Sequence, residues 1–324
     1  MKQTGPRKLV VGTTLYAMWH AHPGLEKRLQ ELGGFVDAMA RQAAAAYPGE
    51  GLDLAALPEM AVSGGLEGTG RQVAFPLEGP VLDRMGAKAR EHHCYIVVPL
   101  YLVESDGRFS NAAVLIDRDG RAAGIYRKVF AVVNPGSTEP EAGVTPGRDF
   151  PTFDCDFGRV GIQICYDMAF DEGWRTLGRK GAELVVWPTQ WPGRVHPARR
   201  ALENGFYVLS STWRNNASLV DPTGHVIRDT RTEGVFVERI DLSYEIVSWQ
   251  PALRNGRLFD ERFGPRAGYR YSEEEDCGIF WSNDPDTPVS EMVRALGLET
   301  KPAELKRARE ALAGFRGGEP VLDA

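Results

Sequence analysis

The chain has 324 residues, a formal net charge of −6 and a hydrophobic share of 43%, the composition of a globular protein with a substantial core. Without a basic excess, nothing draws it to nucleic acid or to an anionic membrane. No run approaches the ~18 apolar residues of a spanning helix, and Met1-Lys2-Gln3-Thr4-Gly5-Pro6-Arg7 lacks the apolar stretch of a signal peptide, so a cytoplasmic protein is the expectation. Cys94, Cys155, Cys165 and Cys277 show no C-x-x-C spacing, which indicates neither a zinc site nor a redox dithiol.

In chain order, Lys8 to Thr14 reads as a first strand, and Gly24 to Tyr47 carries a helical pattern weakened by Gly33-Gly34 in its middle. Strands recur at Leu52 to Leu57, Cys94 to Val103, Ala112 to Asp117, Val160 to Cys165, Glu183 to Trp187 and Phe206 to Ser211, with helices between several of them, such as Pro80 to His93 and Pro197 to Asn204. Ile125 to Phe130 closes a hairpin opened around Asp117-Arg118-Asp119-Gly120, and Leu219 to Ile227 is a hairpin with a Pro-Thr-Gly turn. Helices alternating with strands and hairpins predict a layered α/β fold.

Cys165 ends the β-branched run Val160-Gly161-Ile162-Gln163-Ile164, and Asp171-Glu172-Gly173 soon after reads as a helix start. The thiol therefore lies at a strand-to-helix elbow, where a side chain can face a pocket and following N–H groups can meet an oxyanion. A free cysteine is as readily a small core hydrophobe, which is how Cys94 and Cys155 are read. Two further strand ends carry one ionisable residue each: Glu59 after Leu57-Pro58, and Lys128 in Tyr126-Arg127-Lys128. Alone, either is an ordinary surface charge.

Together, Leu57-Pro58-Glu59, Tyr126-Arg127-Lys128 and Ile164-Cys165-Tyr166-Asp167 resemble, in order, the three signatures of the nitrilase superfamily of carbon-nitrogen hydrolases. The resemblance runs from about Lys8 to about Leu242. It implies an α-β-β-α sandwich of four layers for residues 1–244, with residues 245–324 as a C-terminal extension. It implies hydrolysis of a small non-peptide amide with no metal or organic cofactor: Glu59 as base, Lys128 and the Tyr166 backbone N–H holding the oxyanion, and Cys165 forming a thioester. A second glutamate supports the lysine in this family, and both Glu139 and Glu141 are candidates, with Glu141 preferred. N-carbamoyl amine hydrolysis and nitrile hydrolysis are the alternatives within the family. A catalytically idle binding or scaffold protein on the same fold is the alternative outside it.

The loop Trp187-Pro188-Thr189-Gln190-Trp191-Pro192 faces the active site in the family, so Trp187, Gln190 and Trp191 are the expected substrate-binding residues, although both tryptophans can equally be core. Tyr166-Asp167 is the amidase-like choice at the elbow. Ala169 stands where the Nit/ω-amidase branch commonly has arginine, so the acyl or carbamoyl group is expected to be uncharged, with Arg175, Arg194, Arg199 and Arg214 able to bring charge from another direction. The pairs His20-x-His22 and His92-His93 have no carboxylate or thiol at ligand spacing, which argues against a metal.

Beyond Leu242, aromatic residues from Trp249 to Trp281 set the tail apart from a disordered linker. Helix signals follow at Thr287-Pro288-Val289 and over Pro302 to Leu312. The sharper reading of the tail is an arm that reaches a partner subunit in a homodimer or larger homo-oligomer.

Overall fold

The computed structural model describes residues 5–315, which form two compact units: residues 9–240, and residues 5–8 together with 241–315. In chain order the larger unit holds β1 (Lys8–Leu15), α1 (Leu25–Ala46), β2 (Leu54–Ala56), α2 (Pro80–His92), β3 (Tyr95–Val103), β4 (Phe109–Ile116), β5 (Ala122–Arg127) and β6 (Thr152–Cys155). It continues with β7 (Gly158–Ile162), α3 (Asp171–Arg179), β8 (Leu184–Thr189), α4 (Val195–Asn204), β9 (Tyr207–Thr212), β10 (Ala217–Val220), β11 (Val226–Thr230) and β12 (Gly234–Asp241).

The strands run in the order β5-β4-β3-β2-β1-β9-β8-β7-β6, with β12 on β1 and the β10-β11 hairpin on β9. One residue pair, Leu15 with Thr212, joins β1 to β9, so the sheet is two halves meeting at a seam. Side-chain parity gives each half two faces. Ile96, Val98, Leu100, Ala112 and Val114 pack with Leu29, Leu32, Val36, Met39 and Ala43 of α1 and with Val81, Met85 and Ala89 of α2. In the other half, Val185, Trp187 and Val208 pack with Trp174 and Leu177 of α3 and Ala201 of α4. The alternate residues, among them Val97, Ala113, Leu115, Ile162, Val186 and Leu209, are buried too, on the faces turned away from the helices. This is the mixed α/β, layered arrangement expected.

In α1, buried positions spaced three and four apart make the apolar stripe that drives the helix onto its sheet. The Gly33-Gly34 pair does not break it. A Cβ on Gly33 would come within 3.3 Å of the Lys88 side chain on α2, so the small residue serves the close approach of the two helices.

The strand expected to reach Cys165 ends at Ile162; the backbone is still extended at Ile164, and Cys165, with φ +42°, makes the turn. No described helix is long and apolar enough to cross a membrane.

The second unit holds β13 (Tyr244–Ser248), α5 (Arg257–Phe263), β14 (Ala267–Ser272), β15 (Cys277–Ser282), α6 (Val289–Ala295) and α7 (Lys301–Phe315). Its antiparallel sheet, ordered β13-β15-β14, has its own core of Val247, Leu253, Phe259, Phe280, Met292 and Val293. Both helix signals correspond to helices, α6 and α7. The strands are the addition: Tyr269, Tyr271, Phe280 and Trp281 are aromatic because they stand on a pleated, half-buried surface.

Candidate active site

Glu59 follows β2 and the fully buried Leu57 just beyond its end. Pro58 ends the strand pairing, and Met60 turns back with φ +53°. This leaves the Glu59 side chain 1% exposed at the strand end. On β5 the alternation places Tyr126 inward and Arg127 outward onto Glu104 at 2.6 and 2.8 Å, and Lys128, just past the strand, turns inward again. Cys165 opens a short 3₁₀ turn over Cys165–Ala169, held in its left-handed backbone by the structure around it.

These three strand ends converge. Lys128 Nζ donates to Glu59 Oε1 at 2.9 Å and to Glu141 Oε1 at 2.8 Å. Asn111 on β4 donates its Nδ2 to the same two oxygens at 3.0 and 3.1 Å, and its backbone carbonyl accepts from the Lys128 N–H at 2.8 Å. The second oxygen of Glu59 accepts the Gln190 backbone N–H at 3.1 Å, and the Glu59 carbonyl accepts the Trp213 indole N–H at 2.6 Å. Lys128 and Asn111 thereby hold both carboxylates, while Gln190 and Trp213 fix Glu59 alone, through its second carboxylate oxygen and its backbone carbonyl. Of the two candidate second glutamates, Glu141 meets Lys128, while Glu139 is exposed.

The electrostatics follow from this packing. Burial by itself would push the Lys128 ammonium down, but Glu59, Cys165 and Glu141 outweigh it and hold the group well above its ordinary value. Lys128 is therefore a permanent cation. Burial pushes the Cys165 thiol up to about 12, the Glu59 carboxylate pushes the same way, and Lys128, the Gln190 N–H and the Thr189 hydroxyl pull against them. The resting residue is a neutral thiol beside a carboxylate. Tyr101 on β3 is also raised, first by burial and then by Glu141 and Glu59, which places its phenol at the edge of the same charge cluster.

Asp167 holds the cysteine turn. Its carboxylate accepts the Tyr126 hydroxyl at 2.7 Å, the Ile164 N–H at 2.8 Å and the Phe130 N–H at 2.9 Å, so one fully buried side chain ties the turn to the segment carrying Lys128. Burial lifts this carboxyl to about 6, and the three donors and Lys128 act in the opposite direction.

Trp187 is placed differently from the expectation of a substrate wall. On β8 it shares the parity of Val185, faces α3 and α4, and is fully buried; its indole N–H donates to the Cys165 carbonyl at 3.2 Å. It backs the turn and leaves the cleft to others. Trp191 is partly buried and meets the His196 ring edge-on at 4.7 Å, and Gln190 touches Glu59 through its backbone. Tyr166 is 39% exposed and lies against Phe170. Sequence reasoning passed over Asn111, whose only signal was an amide on an otherwise apolar strand.

The histidine pairs need one correction. Asp37 of α1, far from His92 in sequence, lies 2.6 Å from it, and the ligand atoms of Asp37, Glu91 and His92 fall within 4.8 Å of one another. Lys88 sits among them, 2.8 Å from Asp37 and 2.8 Å from Glu91, so an ammonium already stands where a cation would.

Residues 21–247 match the sequence profile of the carbon-nitrogen hydrolase family. The chain belongs to that family, within the nitrilase superfamily. A probable nitrilase of Schizosaccharomyces pombe is 30% identical over 184 residues, which are 51% of this chain and 66% of that protein. The omega-amidase NIT2 of Homo sapiens is 28% identical over 211 residues, 57% of this chain and 76% of its own. In fold, Saccharomyces cerevisiae Nit3 superposes with a TM-score of 0.60 at 21% identity, covering 72% of this chain and 90% of that one. An amidase of Nesterenkonia gives a TM-score of 0.59 at 20% identity over 74% of this chain and 92% of its own.

Proposed function

We infer that the protein hydrolyses a small non-peptide amide through a thioester on Cys165. The observation that carries this reading is the buried Lys128 ammonium fixed between Glu59 and Glu141 beside a neutral thiol. Glu59 takes the thiol proton as sulfur attacks the carbonyl carbon, so a full thiolate never has to stand beside the carboxylate. Lys128 and the backbone N–H of Tyr166 stabilise the oxygen as it becomes negative. The proton passes from Glu59 to the departing amine. Glu59 then deprotonates the water that attacks the thioester and returns that proton to the departing Cys165 sulfur as the acid is released.

Glu141 and Asn111 hold Lys128 and Glu59 in register for these transfers. Trp191 and Gln190 flank the substrate on the β8 side, and no step calls for a metal. Support for an amide comes from the Tyr166-Asp167 pair at the elbow and from the omega-amidase among the relatives. The relative named as a probable nitrilase keeps nitrile hydrolysis as the second reading. Product analysis decides: a primary amide yields ammonia and acid, a carbamoyl compound adds carbon dioxide, and a nitrile hydrolysed in preference to its amide would reject the amidase reading.

Residues 245–324 are read as an arm for a neighbouring copy. In support, Leu305, Leu312 and Phe315 of α7 stand exposed at 45%, 51% and 95% with helical spacing.

A further inference from the structure

Tyr101 on β3 carries a hydroxyl that the fold does not use. It stands directly opposite Asn111 in the β3–β4 ladder, and opposed residues of an antiparallel pair share a face, so its ring lies beside the amide that reaches Glu59 and Glu141. The ring belongs to a small apolar cluster with Val73 and Val144, against which Met60 and Ala142 pack; these last two follow Glu59 and Glu141 directly in the chain. Packing thus brings the tyrosine against the backbone that carries both carboxylates.

A phenylalanine would fill this apolar cluster equally well. Other tyrosines of the unit anchor their hydroxyls, as Tyr126 does on Asp167 and Tyr47 on Glu238. The Tyr101 hydroxyl, on a residue only 9% exposed, makes no hydrogen bond among the described residues. Nor is its oxygen sealed in, as the unpartnered Tyr271 hydroxyl is, so it opens onto the space beside the charge cluster. Burial, and then Glu141 and Glu59, hold this phenol well above the ordinary tyrosine range, so it stays protonated. Of the four ionisable groups of the centre, Glu141 acts on it most and Cys165 least, which sets the hydroxyl on the carboxylate side of the centre and away from the sulfur.

Resting on the amidase reading, in which Glu59 hands its proton to the departing nitrogen, we propose that Tyr101 is a substrate-contacting residue: its hydroxyl oxygen accepts an N–H of the scissile amide and so reads the leaving group. One hydrogen of the amide nitrogen meets the phenol while the lone pair of that nitrogen, freed as the carbon becomes tetrahedral, faces Glu59 and takes its proton. An amide can make this contact. A nitrile, ester or thioester of the same acid carries no N–H at the reacting carbon and cannot. The selectivity therefore concerns the bond that is broken and not the acyl group. It ends when the amine leaves, so hydrolysis of the thioester on Cys165 does not use it.

The test compares Tyr101→Phe with the wild-type chain on matched acyl donors. One is whichever of acetamide, propionamide, butyramide and succinamate the wild-type chain turns over fastest; the other is the S-methyl thioester of the same acid, a small donor that acylates Cys165 without an N–H. In the variant, kcat/KM is expected to fall about tenfold on the amide and to stay within about twofold on the thioester. The melting temperature should not move, because no hydrogen bond of the protein is lost. An unchanged amide rate, or equal losses on amide and thioester, would overturn the contact. Equal losses together with a lower melting temperature would make Tyr101 a structural residue. A wild-type chain that took the thioester but none of the amides would reject the amidase reading itself, and with it the N–H that Tyr101 is to accept.

Discussion

The Tyr126 hydroxyl donates to Asp167 Oδ2 at 2.7 Å, joining β5, which Lys128 follows directly, to the turn that carries Cys165. Both side chains are fully buried, so the contact holds nucleophile and ammonium in fixed register through protein alone. Its energetics depend on pH. A carboxyl lifted to about 6 by burial binds a proton more readily in the folded chain than in the unfolded one, so it costs stability as pH rises from about 4 to about 6. Above that window the cost is complete, and the three donors are what offset it. Tyr126→Phe removes one donor from the ionised form. We expect a loss of about 1–3 kcal/mol near pH 8 and a smaller loss near pH 5, where the carboxyl is protonated. Denaturant melts at the two pH values check this; equal losses would mean the carboxyl does not titrate in that window.

Lys128 contributes to both folding and rate. Lys128→Met takes the ammonium from the buried Glu59 and the partly buried Glu141, a loss of about 3–5 kcal/mol of stability. Measured on the protein that stays folded, kcat should fall about 100- to 1000-fold, because the charge matters most when the oxyanion forms. A variant that kept kcat and raised only KM would make Lys128 a ground-state binding group.

The two acidic candidates near 140 should separate cleanly. Glu141→Gln weakens a charge-assisted contact to Lys128, and a contact worth about 1.5–3 kcal/mol corresponds to roughly 10- to 100-fold in kcat/KM. Glu139→Gln, at an exposed position, should change nothing. Steady-state kinetics of the pair checks this, and equal effects would remove Glu141 from its supporting role.

Much of this arrangement was legible in the sequence, for a physical reason. Glu59, Lys128 and Cys165 each sit at a strand end marked by a short local pattern, and strands of one layered sheet bring their ends to one edge. Asn111 was not legible, because it stands on β4 among Ser110, Ala112 and Ala113 and meets Glu59 only across the sheet. The partnership of Asp37 with His92 spans two helices that the sequence treats separately. Trp187 shows the limit of motif reasoning: loop membership suggested a wall, but strand parity turned the ring toward α3 and α4. The strands of the second unit were hidden because aromatic content identifies order without giving its period.

If residues 245–324 form the proposed arm, truncation after Tyr244 should lower oligomeric state and melting temperature together, since assembly and folding are then linked. Light scattering and a thermal melt of the truncated chain check this. Full-length assembly and an unchanged melt in the shortened chain would remove the arm.

The central claim is a covalent thioester on Cys165, and intact-mass spectrometry of the protein acid-quenched during turnover of a primary amide addresses it most directly. The wild-type chain should gain the mass of the acyl group, peptide mapping should place it on Cys165, and a folded Cys165→Ala protein should show neither adduct nor product. Turnover by that variant at the wild-type rate would contradict the mechanism.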